Sequence, residues 1–169
     1  MRVYLPGTIG MLRRLVADGR LQPPGGTGFA LTPALRESYT SGDTEELEYA
    51  ALLDAARASL RLIGAAENDP GDAKEPWRRV VISVDVEHAT PRPDLDAPVV
   101  KVSGPISYED VAAVHVDAEE AEEAVRAAAR VIDAADLGDP DAEFVLGEAE
   151  DHELAWYAPQ ELPFLLDLL

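Results

Sequence analysis

The chain has 169 residues, a formal net charge of −19, no cysteine and a 47% hydrophobic share. That length suits one domain, residues 1–169, with a core large enough to need no staples, and the absent thiols exclude disulfides, thiolate metal sites and cysteine nucleophiles. No apolar run reaches membrane-spanning length and no signal-peptide core opens the chain, so a cytoplasmic protein without a membrane partner is expected.

The charge is unevenly placed. Residues 1–42 hold five arginines against two acids, whereas residues 117–153 hold fourteen acids against two arginines. Such a field repels nucleic-acid phosphates, so nucleic acid is not an expected partner. Its plain reading is a solvated surface; its sharper reading is an acidic face that meets a basic partner or mimics nucleic acid. Alanine is abundant, and only Lys74 and Lys101 stand beside twelve arginines, a bias that points to a GC-rich genome.

In chain order, Arg2–Leu5 reads as a strand stopped by Pro6-Gly7. Thr8 then caps a helix over Ile9–Ala17, with Ile9, Leu12, Leu15 and Val16 as its buried stripe and Gly19 as its stop. Gln22–Gly28 is a glycine- and proline-rich connection that fits neither nucleotide-binding fingerprint. Phe29–Thr32 is a second strand and Leu35–Tyr39 a short helix. Asp43 and Glu46 have capping-box spacing for a long helix that Gly64 ends near Ile63. Residues 65–76 form an exposed loop.

Arg78–Val86 is the clearest strand, and its β-branched run argues for a central place in a sheet. Val99–Ser103 follows closely enough to be its hairpin-like neighbour. Ser107 and Asp110 fit a one-turn helix, and Ala113–Val116 returns as a strand. Asp117 and Glu120 read as a reciprocal cap for a helix whose inner stripe is Ala121, Val125, Ala128, Ile132 and Ala135. Leu137–Pro140 ends it. Phe144–Leu146 reads as a short strand or turn, Leu154–Ala158 as the last strand, and Leu162–Leu169 as a terminal helix. The fold expected is α/β or α+β: a mixed sheet of five or six strands with two main helices packed on it, ferredoxin-like as one arrangement and an open sheet as the other.

Few residues carry a chemical signature. Asp85 with Glu87, and His115 with Asp117, share strand faces by alternation, but no spacing forces a metal set together, so neither metal nor cofactor is called for. His115 lies between valines, where a half-buried imidazole is a general base or, more commonly, a satisfied structural group. No serine is signposted as a nucleophile. Trp156 and Tyr157 point to opposite faces of the last strand, so one enters the core and the other faces outward beside Gln160 and Glu161, as a recognition hot spot would. If the two strand-proline segments, Tyr4-Leu5-Pro6 and Tyr157-Ala158-Pro159, are neighbours, Tyr4, Tyr39 and Tyr49 line the same region, giving a tyrosine-ringed cleft, with Arg13 or Arg14 and Glu161 near its mouth, suited to a polar ligand.

The stretches Met1–Pro6, Phe29–Leu35, Glu45–Ala51 and Asp151–Leu162 together resemble those of an uncharacterised protein family of actinobacteria. The resemblance spans nearly the whole chain and implies a bacterial protein, with no activity to carry across. Two functions are expected from the residues. The first is a non-enzymatic protein-binding or regulatory module using the C-terminal segment or the acidic face. The alternative is a small enzyme or ligand-binding protein using the Tyr/Arg/carboxylate cleft or a His–acid site.

Overall fold

The structure, a computed structural model, describes residues 1–69 and 74–169. In chain order its elements are β1 (Arg2–Gly7), α1 (Ile9–Asp18), β2 (Arg20–Leu21), β3 (Thr27–Phe29), α2 (Pro33–Glu37), α3 (Thr44–Glu67), β4 (Val80–Asp85), β5 (Ala89–Pro91), β6 (Val99–Val102), β7 (Ile106–Ser107), β8 (Val111–Asp117), α4 (Glu122–Asp136), α5 (Pro140–Glu150), β9 (Leu154–Tyr157) and α6 (Leu162–Asp167). The α/β class is as expected. Seven strands, in the order β5-β6-β3-β1-β4-β8-β9, form the main sheet, and β2 pairs with β7 beside it. Every ladder among the described residues is antiparallel.

The central strands are buried on both faces, which is why β4 reads as an almost unbroken apolar run. Val3 and Leu5 of β1, with Val80, Ile82 and Val84 of β4, face a core completed by Ile9, Leu12 and Leu15 of α1 and by Leu162, Leu165 and Leu166 of α6. Tyr4 and Val81 face the other way, against Ala51, Leu52, Ala55 and Ala56 of α3. A third cluster joins Leu60 of α3 to Val125, Ala128 and Ile132 of α4 and Leu146 of α5. Thr8 accepts the Met11 N–H, and Gly19 ends α1 in the left-handed region at φ 74°, as the sequence implies.

Two buried polar devices hold these layers. Ser59 of α3 donates to the Gly7 carbonyl at 2.8 Å and accepts the Val80 N–H at 3.0 Å, so a helix side chain completes the end of the β1–β4 ladder. Arg79 and Asp117 form an ion pair with 2% and 0% side-chain exposure. One Asp117 oxygen accepts both the backbone N–H and Nε of Arg79 at 2.8 Å, the other accepts Nη2 at 2.8 Å, and the same Nη2 reaches the His152 carbonyl.

That pair corrects the capping assignment. The Asp117 carboxylate serves Arg79, and Ala118 precedes the 3-10 turn before α4 without a side-chain cap. Gly64 does not stop α3. It lies inside the helix, where a Cβ would stand 2.7 Å from the Ala129 carbonyl oxygen, so glycine is there to let α4 approach. Phe144–Leu146 lies within α5, capped by Asp139 through the Asp141 and Ala142 N–H groups. The 22–28 connection ends in β3, where a Cβ on Gly28 would meet Val3 at 2.5 Å. β4 and β6 are not neighbours, because β1 and β3 lie between them, and the two strand-proline segments are kept apart by β4 and β8. Pro6 continues β1; β3 meets β1 only at Tyr4↔Phe29, so the sheet demands no further donor on that side.

Candidate functional site

β9 is the last strand of the sheet, and its only partner among the described residues is β8, with Trp156 opposite His115 and Tyr157 opposite Val114. The period of two then separates the aromatics. Tyr157 turns inward and packs against the core under α1 and α6, while Trp156 is 61% exposed on the opposite face. The strand leaves β9 through the 3-10 turn Pro159–Glu161, where the Glu161 carboxylate accepts the Ala158 N–H at 2.9 Å and Gln160 is exposed. Tyr108 fixes this exit by donating its hydroxyl to the Pro159 carbonyl at 2.6 Å.

A row of polar side chains crosses the sheet on the Trp156 face. His115 Nε2 and Ser83 Oγ are 2.9 Å apart, Tyr4 donates its hydroxyl to Glu48 of α3 at 3.0 Å, and Arg2 pairs with Asp85 at 2.8 Å. Burial, then the Glu48 charge, pushes the Tyr4 phenol up to about 12, so it stays a donor. Burial, then the Arg2 charge, lowers His115 and favours its neutral form. Ser83 is 1% exposed. Among the described residues no carboxylate hydrogen-bonds to His115 to orient it, so the pair lacks the access and the third member that nucleophilic catalysis requires.

Of the residues named from sequence, Tyr4 and Trp156 share a sheet face, with β4 and β8 between their strands. Arg13 lies on α1, across the sheet from Tyr4, where it holds Glu75 through Nε at 2.9 Å and Nη2 at 3.2 Å and reaches the Leu166 carbonyl. Tyr157, Gln160 and Glu161 follow the other face and the exit turn. No group of three or more histidines and carboxylates suited to a metal occurs among the described residues; Asp117 is committed to Arg79, and Asp85 to Arg2.

Sequence reasoning overlooked Ser83 and Arg79. Their signal was polarity at the edge of, and inside, the apolar run Val80–Val84. It also overlooked a cleft beside Arg13, walled by Thr8 and the first turn of α1, Ile63 and Ala66 of α3, and the Lys74–Arg78 segment, because those pieces lie far apart in the chain.

No curated protein and no solved structure matches this chain. A family model does match, over residues 1–166, which is nearly the whole length. On that match the chain belongs to DUF6912, a family of unknown function.

Proposed function

We propose that the protein is a binding module that takes an extended, basic segment of a partner protein as an added strand beside β9, with Trp156 as the anchor. The observation that carries this reading is an open edge strand bearing a tryptophan that is 61% exposed. An edge strand presents unpaired N–H and C=O groups that a peptide can engage, and alternate side chains supply specificity. Such edges are usually blunted. The opposite edge, β5, carries Pro91, whereas Leu154-Ala155-Trp156-Tyr157 has neither proline nor charge. Asp151 and Glu153 precede β9 and Glu161 follows it, within a chain of net charge −19, so lysine- and arginine-rich segments would be drawn to this edge and acidic ones repelled. The enzyme alternative finds less support, because the Ser83 hydroxyl is enclosed.

The test is selection of displayed decapeptides on the protein, followed by affinity measurement with Trp156→Ala. Selected peptides should alternate basic and β-branched residues, raise hydrogen-exchange protection at β9 amides, and bind the variant about 30-fold more weakly, the equivalent of about 2 kcal/mol. Because the indole is mostly exposed, the variant should lose about 1 kcal/mol of stability or less. Peptides without a basic bias, or binding unchanged by Trp156→Ala, would sink the reading.

A further inference from the structure

The cleft on the α1 side of the molecule has a volume of about 370 Å³ and lies between the start of α1, the end of α3 and the approach to β4. That volume falls in the range of small-molecule sites, which is roughly 300–1,000 Å³. One wall is apolar: Ile9, Ile63, Ala66, Pro76 and Trp77. Trp77 is held in place by the Arg130 guanidinium, 5.6 Å from its ring centroid, and by packing against the α3–α4–α5 cluster.

The charged lining of this cleft departs from the rest of the chain. It contains Arg13, Arg14, Lys74 and Arg78 against Glu67, Asp69 and Glu75, in a protein of net charge −19. Most of these charges are already committed. Arg13 holds Glu75, Arg78 holds Glu122, and Glu67 holds Arg130. Arg14 pairs with no carboxylate among the described residues, and it projects from a helix whose neighbouring positions Leu12 and Leu15 are fully buried, so its backbone is fixed. Lys74, one of only two lysines, adds a second cation at the same cleft. A strongly acidic protein that keeps, beside an apolar, tryptophan-bearing wall, an arginine with no carboxylate partner among the described residues has the two complementary parts of a site for an amphipathic anion.

We propose that this cleft binds a small organic anion, an oxyanion group on a flat apolar body, with Arg14 and Lys74 holding the oxyanion and the Trp77 wall receiving the body. It shares no residue with the β9 edge and does not depend on the peptide-binding reading.

The experiment is a titration of the full chain, followed by ¹H–¹⁵N correlation spectra, with four probes: 1-naphthyl phosphate, 1-naphthoate, neutral 1-naphthol and inorganic phosphate. The two indole N–H signals are assigned with Trp156→Phe. At least one naphthyl anion should shift the Trp77 indole and leave the Trp156 indole unmoved, and the tighter of the two identifies the oxyanion as phosphate or carboxylate. Arg14→Ala should weaken that anion at least tenfold, and Arg14→Lys should restore most of the loss. Arg14 is exposed, so both variants should keep the wild-type spectrum elsewhere. The proposal is overturned if neither anion moves the Trp77 signal at millimolar concentration, if 1-naphthol binds as tightly as the anions, or if Arg14→Ala binds unchanged.

Discussion

Replacing Asp117 with alanine removes the carboxylate from a guanidinium that has nowhere else to turn. Arg79 is 2% exposed and Asp117 is fully buried. Three of the four hydrogen bonds that Arg79 donates here end on the Asp117 carboxylate, and the fourth ends on His152. Without Asp117 the charge stays inside with a single carbonyl as acceptor, and the Arg79 backbone N–H loses its side-chain partner as well. Removing one member of such a pair costs about 3–5 kcal/mol, out of a total stability of about 5–15 kcal/mol. At about 2–4 °C per kcal/mol for a chain of this size, the melting temperature should fall by about 6–20 °C. Scanning calorimetry and urea titration measure it. The deficit should persist in 1 M salt, because buried charges are poorly screened. Asp94→Ala is the comparison, since it breaks the solvent-exposed Arg92–Asp94 pair, with 40% and 61% side-chain exposure, and should leave the melting temperature nearly unchanged. A loss below about 1 kcal/mol for Asp117→Ala would mean that water reaches Arg79, and would refute the argument from burial.

Gly64→Ala should destabilise despite a gain of about 1 kcal/mol in helix propensity, because the new Cβ would stand 2.7 Å from the Ala129 carbonyl. A net loss of about 1–3 kcal/mol is expected by urea titration, and a stabilised variant would show that α3 and α4 are not so close. Ser59→Ala leaves the Gly7 carbonyl and Val80 N–H without their partner and should cost about 2–4 kcal/mol, with faster hydrogen exchange at Val80 as the local sign. His115 has a lowered folded pKa, so the unfolded chain binds more protons between the folded value and the ordinary 6.5. Its contribution is therefore complete above pH 6.5 and lost as pH falls through the folded value; stability measured from pH 8 to 5 should fall less in His115→Gln than in wild type. In an ultraviolet titration, one of the five tyrosines should ionise near pH 12, and Glu48→Gln should bring it down. An unchanged curve would place Tyr4 elsewhere.

The elements closest to sequence came through best. Thr8 and Gly19 bracket α1 because capping is a contract between residues three or four apart, and the β-branched run at Val80–Val84 had to be a central strand because no other place buries both faces. Trp156 and Tyr157 had to part because a strand alternates. The misreadings share one cause: the deciding partner was distant in the chain. Locally Gly64 reads as a stop, but Ala129 sets its identity. Asp117 reads locally as a cap, but Arg79, 38 positions away, claims its carboxylate. The strand-proline echo suggested adjacency, but β4 and β8 occupy the space between.

By itself, then, the sequence determined most of the main helices and strands, which face of each is apolar, and that the chain carries a large net negative charge. Only the tertiary structure decided the strand order, which leaves β9 at an edge and Trp156 in the open, and the meeting of α1, α3 and the Lys74–Arg78 segment around a cleft. The reason is physical: periodicity and capping are enforced within a few residues, whereas strand neighbours and clefts depend on contacts whose partners are scattered along the chain.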